Sequence, residues 1–302
     1  MERAKAEPPW RRERTAAGPP AQLVKVSAVP VEALEELANA TAEATPSAEA
    51  AASAEVTASA EPIGAAPPLT SIVYSRTRVF ATVTAHLERN CIINPAATDG
   101  PAAAYRMLRT QVLQRLDAHR WRSFAMFSPG AQDGKTTTAI NLAVSLGIDR
   151  LHTALLVDFD FKRPTLASRF GLTPEFGVDD VLSGRAKLED CLYHPEGYDR
   201  LVLLPARAGL ANSSEILSGP RSRELIAELR DRYTDRIILF DLPPVLNADD
   251  ALSFAPLVEC GLVVAAEGST RRNDLLRTIE LLHKTPLVGT VLNRAADAPS
   301  GY

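Results

Sequence analysis

Ser128-Pro129-Gly130-Ala131-Gln132-Asp133-Gly134-Lys135-Thr136 decides the reading of this 302-residue chain. Ahead of it, Ser123–Phe127 is a short apolar run of strand length; behind it, Thr136–Leu146 carries helical spacing. A strand that passes through a glycine-bearing loop into a helix presents backbone N–H groups and a helix N-terminus to an anion. The stretch therefore reads as a phosphate-binding loop. Gly130, Ala131, Gln132, Asp133 and Gly134 form its cradle, and Thr137 follows in the first helical turn. Lys135 can reach the outer phosphates of a nucleoside triphosphate, and the Thr136 hydroxyl can coordinate magnesium. The competing reading is a chance Gly-Lys-Thr at a helix start, and the strand–loop–helix context argues against it. Pro129 stands where the usual pattern has glycine.

Outward from the loop, strand and helix patterns alternate. Thr153–Phe159, Leu201–Pro205, Arg236–Leu242, Gly261–Ala266 and Val288–Asn293 read as strands. Pro220–Tyr233 and Arg271–Leu282 read as helices, and Pro101–Leu116 as an amphipathic helix with Tyr105, Leu108, Val112 and Leu116 on one stripe. This alternation predicts an α/β fold, a doubly wound, mostly parallel sheet covered on both faces. Ligands of such sheets bind at the carboxyl ends of the strands, where every motif below falls.

Asp158 and Asp160 leave the apolar run Leu155-Leu156-Val157 two residues apart, so an extended chain can point both the same way. Beside a triphosphate, one can help hold magnesium while the other accepts a proton from an attacking hydroxyl. A solvated acidic turn closed by Pro164 is the alternative. The run Ile237-Ile238-Leu239-Phe240-Asp241 is an apolar strand ending in a carboxylate that can bind magnesium, followed by a proline-fixed turn. Asn293 can hydrogen-bond a base edge or can simply form a turn.

The remaining composition sets bounds. A formal net charge of −4 gives no global footprint for nucleic acid. Cys91, Cys191 and Cys260 lack metal-ligand spacing and read as reduced thiols. The five histidines show no metal pattern, and no stretch reaches the length of a membrane span. From Val26 to Ser75 there are seven glutamates and no Lys or Arg, among Ala, Pro, Thr and Ser. Residues 1–88 are expected to be a disordered arm, either a solvated spacer or a docking tail, and 89–302 the folded domain.

The order of these motifs, with Tyr-Arg-Met-Leu-Arg-Thr at 105–110, Val-Asp-Asp-Val-Leu-Ser-Gly at 178–184, Asn-Ser-Ser-Glu-Ile-Leu at 212–217 and Gly-Thr-Val-Leu-Asn-Arg at 289–294, resembles the cytoplasmic domain of bacterial tyrosine kinases of capsule and exopolysaccharide synthesis. The resemblance runs from about Ala102 to Arg294. Min/Par-type partition ATPases are broader relatives that carry an additional lysine early in the loop, which is missing here. It implies a P-loop NTPase using ATP and Mg2+, with Lys135 and Thr136 on phosphate and metal. Asp158 and Asp160 would supply base and metal contact, and Asp241 would complete the metal site. It also implies a membrane polysaccharide copolymerase as partner and a cytoplasmic protein recruited to the inner membrane face by that partner, with a homo-oligomer one option; the net charge adds the expectation of no nucleic acid.

Three departures mark this chain. Gln132-Asp133 replaces the family's Gly-Glu before Gly-Lys. Ala103 holds the acid position of an oligomerisation helix that reads Glu-x-x-Arg-x-x-Arg, ahead of Arg106 and Arg109. After Tyr233 the one tyrosine is Tyr302, in place of a tyrosine cluster, and it is the candidate phosphosite. The expected function is a tyrosine autokinase or ATPase regulating exopolysaccharide synthesis. A non-catalytic nucleotide-binding regulator of the copolymerase and a partition-type ATPase switch are the alternatives.

Overall fold

The computed structural model describes residues 76–98, 100–149, 151–210, 212–232 and 236–295. The arm up to residue 75 and Tyr302 lie outside them. Eight strands form one sheet: β1 (Arg78–Phe80), β2 (Ser123–Phe127), β3 (Thr153–Asp158), β4 (Tyr193–Pro195), β5 (Leu201–Leu204), β6 (Arg236–Asp241), β7 (Cys260–Ala266) and β8 (Leu287–Asn293). Their spatial order is β1-β4-β5-β3-β6-β2-β7-β8, with β4–β5 the antiparallel pair and every other pairing parallel. The expected doubly wound, mostly parallel architecture is therefore present.

The helices are α1 (Thr84–Arg89), α2 (Gly100–His119), α3 (Lys135–Gly147), α4 (Leu166–Phe170), α5 (Val178–Leu182), α6 (Ser213–Ser218), α7 (Pro220–Arg232), α8 (Asp250–Phe254) and α9 (Arg272–Leu281). The interiors of the central strands are apolar, with polar residues only at their ends, because both faces are covered. Phe124, Met126, Leu156, Leu203 and Leu239 pack toward α2 and α3. Their alternates Ala125, Phe127, Leu155, Leu204, Ile238 and Phe240 pack with α5, α7 and α8 on the other face. Period-two alternation thus sends successive residues of one strand into two different cores.

Two edge strands escape the sequence pattern. β1 and β4 have three residues each, too few for a visible alternation, and their pairing with each other and with β5 makes them strands. β1 and all of α1 but Arg89 fall within residues 1–88, the stretch expected to be a disordered arm, where pairing with β4 and packing of Leu87 order them. All three cysteines are free thiols.

The predicted apolar stripe of α2 is buried: Tyr105, Leu108 and Leu116 are fully enclosed and Val112 nearly so. Two of its arginines bind backbone carbonyls. Arg106 donates to the carbonyls of Ala97 and Thr98, and Arg109 Nη1 donates to Ser145 O in the last turns of α3 at 2.9 Å. The Arg109 bond ties α2 to the helix that begins at the loop, while those of Arg106 hold the segment leading into α2.

Candidate active site

β2 ends at Phe127, and Ser128–Gly134 curl over the N-terminus of α3. Two loop residues adopt left-handed backbone: Gly134, at φ 89°, and Gln132, at φ 71°. Glycine adopts that conformation freely, whereas a side-chain-bearing residue does so at a cost of roughly 1–2 kcal/mol. The loop is stitched in place from within and without. The Asp133 carboxylate accepts from Gly130 N–H at 2.7 Å and from the Thr270 hydroxyl at 2.8 Å. Ser128 and Pro129 carbonyls accept from the N–H groups of Val245 and Leu246, in the turn that follows β6.

Lys135 and Thr136, the first two residues of α3, meet Asp241 at the carboxyl end of β6. Lys135 Nζ lies 2.5 Å from Asp241 Oδ1, and the Thr136 hydroxyl donates to Oδ2 at 2.6 Å. Lys135 is 5% exposed and Asp241 2%. The carboxylate is thus neutralised and hydrogen-bonded, which a buried charge requires. The pair at the start of α3 meets a carboxylate more than a hundred positions away because β6 lies beside β2.

Strand β3 exits next to β6, in register through Asp158 and Asp241. Phe159 and Phe161 turn into the apolar core, where Phe159 stacks 5.5 Å from Phe240 and meets Phe254 edge-on at 5.1 Å. That anchoring leaves the intervening Asp160 on the loop side. The two acids then differ. Asp158 is fully buried, and its oxygens accept from the N–H groups of Asp160, Thr165 and Leu166 at 3.1–3.2 Å. Burial, reinforced by the neighbouring Asp241 carboxylate, pushes its carboxyl up to about 8 despite those N–H groups. Asp160 lines the cavity; burial also raises its carboxyl, and the Lys135 ammonium opposes the rise.

A cavity of about 460 Å³ opens over these groups. Its walls include the loop from Gly130 to Thr137, Asp160 with Lys162, Arg163 and Arg169 after β3, and Pro243, Pro244, Asn247 and Ala248 after β6. Of the sequence-predicted residues, Gly130, Ala131, Gln132, Asp133, Gly134, Lys135, Thr136, Thr137 and Asp160 line it. Asp158 and Asp241 stand behind that lining. Asn293 does not open to the cavity: its Nδ2 donates to Asp133 O at 3.0 Å, and its Oδ1 accepts from Arg294 N–H. Arg294 Nη2 in turn donates to Gln132 O at 2.8 Å. The last strand thus braces the back of the loop, and both ends of the Asn293 amide are taken by backbone.

The sequence reading missed the cations Lys162 and Arg169 as cavity residues. Arg169 Nη1 donates to the Thr137 hydroxyl at 3.1 Å. The available signal was the density of basic residues between Asp160 and Phe170. Thr136, Asp160 and Asp241 together offer hard oxygen donors, the kind magnesium takes.

A family model described as an AAA domain matches residues 130–287. Tyrosine-protein kinase YwqD of Bacillus subtilis (strain 168) is 26% identical over 211 residues, 69% of this chain and 87% of YwqD. The succinoglycan biosynthesis transport protein ExoP of Rhizobium meliloti (strain 1021) is 28% identical over 201 residues, 64% of this chain. That match spans only 25% of ExoP, so the chain corresponds to about a quarter of it. Among solved structures, the kinase domain of the Escherichia coli tyrosine kinase ETK superposes with a TM-score of 0.61 at 26% identity, covering 70% of this chain and 84% of that domain.

Proposed function

The chain belongs to the AAA domain family, and from that premise we propose that it is an ATP-dependent protein-tyrosine kinase acting in bacterial polysaccharide synthesis. One observation carries the reading. Lys135, Thr136 and Asp160 converge on one cavity at the carboxyl ends of β2, β3 and β6, with Asp241 directly behind them. Loop N–H groups and Lys135 would hold the phosphates. Magnesium, when bound through Thr136, Asp160 and Asp241, would offset charge on the transferring phosphoryl group. Asp160 faces the cavity and Asp158 stands beside it as the second carboxylate of a base-and-metal pair. The cavity cations Arg163 and Arg169 add positive potential where charge develops.

The kinase and polysaccharide parts draw on the names of YwqD, ExoP and ETK. A membrane copolymerase as partner, and recruitment to the membrane through it, belong to the same proposal. Among the described residues no helix is long and apolar enough to cross a membrane. Tyr302 is the acceptor proposed from the sequence.

Incubating the purified chain with magnesium and γ-labelled ATP tests the reading. Phosphotyrosine should appear and should vanish in Lys135→Met and Asp160→Asn. ATP hydrolysis without label on any tyrosine would refute the kinase. Nucleotide binding with neither hydrolysis nor labelling would select the non-catalytic regulator, a reading that the enclosure of Asp158 favours.

A further inference from the structure

Asp250, the first residue of α8, is fully enclosed, and neither of its carboxylate oxygens accepts a hydrogen bond. A buried carboxylate in that state is costly unless a cation compensates it. The Lys162 ammonium lies 3.7 Å from Asp250 Oδ2. That separation exceeds hydrogen-bond range, so the attraction is coulombic and leaves the three N–H donors of Lys162 uncommitted to Asp250. Lys162 is half exposed and lines the cavity.

The pair spans the two loops that flank the site. Lys162 follows β3, and Asp250 follows the turn after β6. Helix α8 is anchored through Phe254, whose ring meets those of Phe159 and Phe240 at 5.1 Å each. Asp250 is therefore fixed to the sheet, while Lys162 carries four rotatable bonds that a fixed countercharge restrains. Cavity walls come from the segments after β2, β3 and β6, with none from the segments after β7 and β8. In a loop of this type the N–H groups take the inner phosphates and the lysine reaches the outer ones. The side beyond Lys135, toward Asp160 and Lys162, is then where a terminal phosphate would stand.

We propose that Lys162 is a terminal-phosphate contact that distinguishes nucleoside triphosphate from diphosphate, and that Asp250 is the residue that positions it. This rests on the nucleotide-binding reading of the cavity. The buried Asp250 carboxylate thus faces a lysine of the cavity wall, and among the described residues it accepts no hydrogen bond.

The test measures equilibrium affinity of the full chain for Mg-ATP and Mg-ADP, by displacement of a fluorescent ADP analogue. Lys162→Met should weaken ATP about 10-fold or more, the scale of one charged hydrogen bond, and ADP less than about 2-fold. Lys162→Arg should recover most of the discrimination. Asp250→Asn should weaken ATP by about 3-fold and leave ADP alone, and the double variant should be no worse than Lys162→Met. Equal losses for both nucleotides in Lys162→Met, or no loss, overturn the phosphate contact. Multiplying effects in the double variant overturn the positioning role. Thermal melts monitor folding; should Asp250→Asn not fold, the Lys162→Met and Lys162→Arg comparison still decides the contact. Wild-type protein that binds neither nucleotide overturns this inference together with the reading it rests on, whereas tight ATP binding indifferent to Lys162 overturns this inference alone.

Discussion

Replacing Gly134 by alanine tests the bracing of the loop by the last strand. A Cβ at Gly134 would sit 1.7 Å from Asn293 Nδ2 and 3.0 Å from its Cγ, so the amide must move. Moving it breaks the bond to the Asp133 carbonyl and leaves buried polar groups unpaired, a cost of about 1–3 kcal/mol. The left-handed backbone at φ 89° adds about 1–2 kcal/mol. Gly184 supplies the control, because it has φ 74° and nothing within 4 Å of an added Cβ. Gly184→Ala carries the backbone strain and the same entropy change of the unfolded chain without the collision. Gly134→Ala should therefore cost about 1–3 kcal/mol more than Gly184→Ala, or roughly 2–12 °C in melting temperature for a domain of this size. Urea unfolding of the full chain, followed by circular dichroism, measures it. Asn293→Ala removes the colliding amide, so the double variant Gly134→Ala/Asn293→Ala should cost less than the sum of its parts by about 1–3 kcal/mol. If the two substitutions add within about 0.5 kcal/mol, or if Gly134→Ala costs no more than Gly184→Ala, the bracing argument is wrong.

Three further outcomes are expected. Desolvation alone would raise the Asp180 carboxyl, but the hydrogen bond from Gly177 N–H and the guanidinium groups of Arg185 and Arg207 outweigh it and hold the group below its ordinary value. Its folded value being the lower one, Asp180 adds stability above the unfolded carboxylate value of about 3.9, and this is lost as pH falls. The stability gap between wild type and Asp180→Asn should be constant from neutral pH to about 5 and close below about 4, as read by denaturation at each pH. Gln132→Gly relieves left-handed strain but loosens the unfolded chain, so stability should change by less than about 1 kcal/mol with nucleotide affinity undiminished; a several-fold loss of affinity would show that the Gln132 side chain contributes to binding. Tyr105, Tyr193 and Tyr198 are all buried, so phosphotyrosine mapped by mass spectrometry after incubation with Mg-ATP should fall on Tyr74, Tyr233 or Tyr302; label on Tyr105 in folded protein would contradict the packing of α2 against α3.

Local pattern carried much of the fold. Ile237–Phe240 has no polar alternate because each residue enters one of two cores, and an uninterrupted apolar run is what such a strand must show. The loop was equally legible, since glycine, lysine and threonine at a strand-to-helix junction act through backbone geometry that the sequence states directly. The helix boundaries fell within a few residues. Strands β1 and β4 were invisible because three residues carry no period, and their pairing partners lie far away in sequence.

By itself, then, the sequence determined the strand–loop–helix unit, the parallel sheet and the presence of carboxylates at strand ends. Only the tertiary structure decided which of those groups meet. Lys135 and Asp241 are 106 positions apart, and their meeting depends on β6 lying beside β2. Asn293 and Asp133 are 160 apart, and their bond fixes the last strand against the back of the loop. Asp158 and Asp160 look equivalent as letters, yet one lies behind the cavity lining and the other within it, because Asp158 still belongs to β3 and is capped by the N–H groups of Thr165 and Leu166. Lys162 lies 3.7 Å from Asp250, a carboxylate with no mark in the sequence to single it out. Periodicity encodes which face a residue takes, while sheet order and side-chain packing determine which distant residue waits on that face.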